Sequence, residues 1–504
     1  MMRFSARPIS LLLAAMLGAC TPAADEGAVD IAVLGASPDF EDSSLRLSEA
    51  DAHIRAATTQ GLVTMDTAGQ IVPALAERWI VTDDGTSYIF RLRERNWPDG
   101  EPLTGEQVRR QLEALRRELA GTSLGADLAI IDDIRAMTGR VVEIRLTRPM
   151  PQFLRLLAQP ELGIRMGGIS LGPMARLTRQ TGVGREVSAD TGTDQLTLYP
   201  IPPTERGFAR QPDWEELVRP VEAHFLTPEA AVQAFTSGEL EVVLGGTLPT
   251  LPLVNAGPLS RGNVRLDAAV GLFGLDVMEA SGFLAAAENR ESLNMAIDRE
   301  TLLAPFNIAG WSPRLSAVPT FADTAPAADQ DPAWYSLPLE ERIVIASARV
   351  AAWESSTGEE ASVRIALPDG PGSDLLFREI ARDWAEIGVT SVRVAAGENA
   401  DLELRDRVAR YDSERWYLNQ FNCAYTQAIC SEEADILVNQ SIRATDPQVV
   451  RLLLDEAEAL LTEQNGFISL GTPIRWSLVR GNIAGFQENQ WAAHPLFPLS
   501  GAPI

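Results

Sequence analysis

A chain that does covalent chemistry carries a nucleophile, a metal set or a phosphate cradle at recognisable spacing, and this 504-residue sequence offers little of that kind. Its three histidines, His53, His224 and His494, stand far apart, and none falls in an HExxH-like pair. No metal set and no cofactor is expected. All 43 basic residues are arginine, so a glycine-rich phosphate loop ending in lysine is ruled out. No serine-nucleophile elbow is expected either. The neighbours Glu432 and Glu433 read as solvated charges rather than as an acid and a base facing each other across a cleft. No enzymatic reaction is expected.

Residues suited to recognition are more evident. Trp416, Tyr417, Phe421 and Tyr425 stand among the amides Asn419 and Asn422. Ligand clefts are lined in this way: rings give contact area and a few polar groups fix orientation. Packing at a strand edge is the alternative. Arg475, followed by Trp476, offers a planar guanidinium that suits a ligand carboxylate, with a surface ion pair as the other reading. Cys423 and Cys430 are an even pair. In an oxidising compartment they suggest a disulfide, two buried thiols being the alternative.

The first twenty residues speak for that compartment. Arg3 and Arg7 precede a short apolar run, Ser10 to Leu17, which ends in Leu17-Gly18-Ala19-Cys20. Such a leader is removed and takes no part in the fold. A cysteine in this place matches the bacterial lipoprotein box, so Cys20 is expected to carry lipid, with residues 21–28 as a tether to a membrane surface. No later stretch approaches the roughly 18–20 apolar residues of a membrane span. A composition of 45% hydrophobic and 22% charged residues is that of a globular body, and the length allows about two to four domains. The formal net charge of -26 repels phosphates, so nucleic acid is not an expected partner.

These residues need elements to hold them. Asp30 to Leu34 and Leu240 to Leu244 read as buried strands. Thr82 to Thr86 is a hairpin turn between Trp79-Ile80-Val81 and Tyr88 to Leu92. Pro73 to Trp79 reads as a helical turn. Thr104 and Gln107 form a capping-box pair ahead of a helix carrying Val108, Leu112 and Leu115. Thr227 caps a helix that Gly238 ends. Val363 to Leu367, a turn, a helix capped by Ser373 and the chain after Gly388 suggest a parallel β-α-β unit.

Four segments then resemble the extracytoplasmic peptide-binding proteins that serve ABC importers, a family that also holds nickel-, heme- and sugar-binding members. The most specific runs from Ile71 through Trp79, Asp83-Asp84-Gly85, Tyr88 to Arg93 and Trp97-Pro98-Asp99-Gly100 to Thr104. Gly61-Leu62-Val63, Ser237 to Val242 and Asn289 to Glu300 are similar too. The resemblance implies an α/β, two-lobed periplasmic-binding-protein-like fold of the class II type, with an extra subdomain on the first lobe. Lobe I is expected at 29–50, 160–262 and 470–504, the subdomain at 51–159 and lobe II at 263–469. Trp79, Tyr88, Phe90 and Trp97 are expected in the subdomain core. Asp298 and Arg299 are expected as a helix-end cap and local ion pair.

The resemblance further implies a monomeric substrate-binding component that takes a peptide or similar small solute between its lobes and passes it to ABC permease subunits. A non-transport lipoprotein using the same fold for envelope interactions is the alternative. Peptide-binding members bear an aspartate that meets the ligand's amine. The run Trp416 to Tyr425 that resembles that region has none, and Asn419, Asn422 or Cys423 stands there instead. Three readings stay open: a blocked peptide or neutral ligand, an acid supplied by Glu432, Glu433 or Asp435, or an interaction role without transport.

Overall fold

A computed structural model of the chain describes residues 27–38, 45–176, 195–254, 262–308, 310–320 and 332–501. The leader, Cys20 and most of the tether lie outside the described residues.

The apolar strand Val29–Leu34 is the middle of a seven-stranded sheet and runs parallel to both neighbours, Val221–Leu226 and Val242–Thr247. Between those neighbours runs the helix Pro228–Ser237. The Thr227 hydroxyl caps its start, and Gly238 ends it in a left-handed conformation (φ 96°) that a side chain resists. Alternation along Val29–Leu34 serves two cores. Ile31 and Val33 pack with Ala50, Ile54 and the tail residues Leu496 and Leu499, while Ala32 and Leu34 pack with Ala231, Phe235 and Leu251.

The second lobe is built on a five-stranded sheet, in the order Thr390–Ala395, Ser362–Leu367, Leu402–Val408, Gly271–Val277, Phe467–Gly471. Ser362–Leu367 and Thr390–Ala395 pair in parallel around the helix Pro371–Glu386, which is the expected β-α-β unit. Its cap is Gly370 rather than Ser373, because Pro371 fits the first helical position and draws Ser373 into the buried first turn.

The chain changes sheet twice, at Ala269–Val270 between Val264–Ala268 and Gly271–Val277, and at Thr472–Pro473 between Phe467–Gly471 and Ile474–Val479. The strand Val264–Ala268 is thus part of the first sheet, a few residues beyond the expected boundary at 263. The helix Glu49–Thr58 likewise packs on the first sheet and not within the inserted region.

The inserted region carries a four-stranded antiparallel sheet, in the order Ala76–Val81, Ser87–Leu92, Val141–Leu146, Ile131–Ala136. The helix Gly105–Glu118 covers it, started by the reciprocal Thr104–Gln107 capping box. Tyr88, Phe90 and Trp97 are buried in its core and Trp79 packs against them. Pro73 to Trp79 is not a helical turn. Trp79, Ile80 and Val81 pair with Phe90, Ile89 and Tyr88 across the turn at Asp84 and Gly85, so the hairpin overrides the local preference. Arg299 forms no ion pair with Asp298. Its guanidinium is buried and donates to the carbonyls of Asn294 and Ser469, which ties the helix Ala287–Ala296 to the second-lobe sheet, and burial lowers its pKa to about 9.

Candidate ligand cleft

A cavity of about 200 Å³ opens where the two lobes and the inserted subdomain meet. The helix Glu49–Thr58 contributes Glu49 and His53, and the strand Val63–Met65 contributes Met65. Arg410 enters from just beyond the second-lobe strand Leu402–Val408, and Trp491 and His494 from the C-terminal tail. Apolar surface dominates, with charge at few places, as in a site for a small organic solute.

The polar groups are held in place. His53 Nδ1 lies 3.2 Å from the His494 carbonyl oxygen, and His494 Nε2 lies 2.8 Å from buried Asp267. Burial, with the neighbouring His494, lowers the His53 pKa although Glu49 opposes it, so the ring is neutral at pH 7. Trp491 is clamped from two sides. The Arg155 guanidinium lies 3.9 Å above its ring, and a Cβ on Gly69 would come within 2.6 Å of it. Arg410 Nη1 donates to Ser123 Oγ (3.2 Å), and Nη2 lies 3.6 Å from Glu161. Two of the three histidines, distant in sequence, therefore meet at one cavity, which their spacing did not reveal.

The expected recognition residues lie elsewhere. Trp416, Tyr417 and Asn419 belong to the helix Glu414–Asn419 and are buried where the second lobe meets the subdomain. Asn419 Nδ2 donates to Asp127 Oδ1 (2.7 Å), and the Tyr411 hydroxyl donates to the same oxygen (2.7 Å). Arg415 Nη2 donates to the Ala126 carbonyl (2.6 Å), and the Thr147 hydroxyl to the Ile442 carbonyl (3.2 Å). Asp127 is fully buried, which pushes its carboxyl upward against the pull of Arg415 and Arg410. The acid beside Asn419 is thus Asp127, from the subdomain helix Ser123–Leu128, and not Glu432, Glu433 or Asp435. Asp435 is engaged locally by the Cys423 backbone N–H (2.9 Å). A lone acid among Leu124, Leu128, Ile130 and Ile131 was the available signal for Asp127.

Phe421 lines a separate cavity of about 40 Å³ inside the second lobe, room for a few waters. Asn422 accepts from the Ala424 N–H and starts a tight turn, and Tyr425 is half-buried beyond it. Cys423 and Cys430 are joined by a disulfide. Arg475 and Trp476 point to opposite sides of their strand. Arg475 forms a buried ion pair with Asp406 (2.7 Å) rather than a surface one. Trp476 is sealed against Gly246, with its Nε1 donating to the Thr247 carbonyl.

One Gly-x-Ser-x-Gly string, Gly168 to Gly172, does occur, against the expectation of none. Ser170 ends the two-residue strand Ile169–Ser170, paired with Arg165–Met166, and the next described element is the strand Met174–Arg176 rather than a helix, so Ser170 is not on the strand-turn-helix geometry of a nucleophile elbow.

The sequence profile of the bacterial extracellular solute-binding proteins, family 5 Middle, matches residues 70–423. A "Probable deoxycholate-binding periplasmic protein YgiS" of Escherichia coli (strain K12) is 36% identical over 121 residues, 20% of this chain and 23% of that protein's length. A "Probable di/tripeptide-binding protein 5" of Pseudomonas aeruginosa (strain UCBPP-PA14) is 24% identical over 532 residues, 94% of each chain. The crystal structure of Haemophilus influenzae OppA in complex with the peptide RPPGFSPFR superposes with a TM-score of 0.73 at 17% identity, covering 95% of this chain and 100% of that one. The two-lobed fold is therefore shared. Among the described residues no helix is long and apolar enough to cross a membrane.

Proposed function

This chain belongs to the bacterial extracellular solute-binding proteins of family 5, and on that premise we propose that it captures a small solute between its lobes and delivers it to the permease of an ABC importer. The observation that carries this reading is the cavity beside the two sheet crossings, walled by both lobes and the subdomain. A solute there touches surfaces that part when the crossings flex, so binding favours the closed shape.

A short peptide fits the wall best. Glu49 offers a carboxylate to an ammonium, Arg410 a guanidinium to a carboxylate, and Met65 and Trp491 an apolar surface between. The related di/tripeptide-binding protein, alike along nearly its whole length, supports this class. Cys20, as the lipid-bearing N-terminus, would hold the protein at a membrane surface of the cell envelope.

Thermal shift against a di- and tripeptide library tests the reading. A ligand at 100 times its Kd stabilises by about 2.7 kcal/mol, which raises the melting temperature. A chain that gains no stability from any peptide or other small solute speaks for the non-transport lipoprotein instead.

A further inference from the structure

We propose a second binding site, for a divalent transition-metal ion of the zinc type, on the first-lobe sheet at the end away from the cleft. Its ligands are Asp30, Glu222 and His224. The parallel register sets Asp30 opposite Glu222 and Ala32 opposite His224. Side chains alternate along a strand, so residues 30, 222 and 224 emerge on one face, while Val29, Ile31, Val221, Ala223 and Phe225 fill the core on the other. One ligand atom from each lies within 4.8 Å of the other two, and His224 Nε2 is 3.2 Å from Asp30 Oδ1.

The chemistry of the set is specific. An imidazole with two carboxylates suits zinc and its neighbours, with water completing the shell, whereas hard ions such as calcium take oxygen donors alone. Two carboxylates also match the charge of a divalent ion. Among the described residues neither Asp30 nor Glu222 is paired with an arginine, although arginine is this chain's strong base throughout. Glu222 is instead steadied by Gln195 Nε2 at 2.7 Å, a supporting contact of the kind that orients metal-bound carboxylates.

All three ligands sit on central strands rather than loops, so the set is preorganised. It is also remote from the solute. Ile31 pairs with Val242 and Val242 with Val479, which places Asp30 at the level of the far end of Ile474–Val479, a strand's length from the crossing at Thr472–Pro473.

The test uses the untagged, metal-stripped chain, with zinc followed by titration calorimetry and Co2+ by its visible absorption. One equivalent of zinc should bind, and Co2+ should give ligand-field bands of a low-coordinate nitrogen–oxygen site. His224→Ala should abolish the bands and weaken zinc by well over tenfold. Gln195→Ala should weaken zinc by about tenfold, as loss of a supporting contact does. The isosteric Glu222→Gln carries the same test should His224→Ala fold poorly. Absence of zinc binding at millimolar concentration overturns the proposal, as does an affinity that His224→Ala and Glu222→Gln leave unchanged. Peptide binding should be equal with and without zinc, so this result and that of the cleft stand apart.

Discussion

The two lobes meet in two ways. On the subdomain side the contact is closely packed. Leu124, Leu128, Trp416 and Leu418 share one core, Tyr411 and Asn419 both donate to the Asp127 carboxylate, and Arg415 donates to the Ala126 carbonyl. On the side of the crossings the walls stand apart around a cavity with an acid, a base and an imidazole at its rim. A receptor that closes on a guest needs both kinds of contact. One fixes how far the jaws shut, and the other leaves the room they shut around. Aromatic and amide residues serve the first as readily as the second, so composition alone does not tell them apart.

The largest expected effect lies where the ion pair of Arg475 and Asp406 spans the crossings. Arg475→Met leaves the Asp406 carboxylate buried without its partner, and should cost about 3–5 kcal/mol in denaturant unfolding. A loss below ~1 kcal/mol would mean that solvent reaches the pair and the crossings are looser than described. Asp127→Ala comes next. It strands the Tyr411 hydroxyl and the Asn419 amide, and should cost about 2–3 kcal/mol. It should also widen the particle in small-angle scattering, since its contacts join subdomain to second lobe. Unchanged scattering with lowered stability would make Asp127 a local brace only.

A third measurement separates the two regions by pH. Glu414 starts the helix that carries Asn419, and its carboxyl is pushed up to about 8 by burial, with the charges of Glu458 and Asp455 adding to it. The folded chain therefore holds a proton that the unfolded chain releases near pH 4.5. Stability should fall as pH rises from about 4.5 to 8 and stay reduced above. Glu414→Gln should melt a few degrees higher than the parent at pH 8.5 and at the same temperature at pH 4.5. Equal melting at both values would contradict the burial of this carboxyl. The smallest effect on stability belongs to the cavity. Glu49 is exposed at its rim, so Glu49→Gln should change stability by less than ~0.5 kcal/mol. The same change should weaken peptides with a free amine more than acetylated ones. Equal weakening of both would place the amine elsewhere.

What the sequence discloses follows from range. The hairpin at Thr82–Thr86, the capping box at Thr104 and the parallel unit around Pro371–Glu386 are written in neighbouring residues, and local chemistry decides them. The disulfide closes a segment of eight residues and is legible for the same reason. The cleft is assembled from residues near 49, 65, 410 and 491, which nothing local connects. Arg475 and Trp476 are adjacent in the sequence, yet a strand sends neighbours to opposite faces. Trp416 and Tyr417 have the composition of a cleft, but Asp127, nearly three hundred residues earlier, claims their helix for the lobe contact.

The most direct test is a crystal structure of the chain grown with the peptide that raises its melting temperature most. Density for that peptide between Glu49, Met65, Arg410 and Trp491, with Asp127 still bonded to Tyr411 and Asn419, is the predicted result. Peptide bound among Trp416, Phe421 and Tyr425, with the cavity beside the crossings filled only by water, would contradict it.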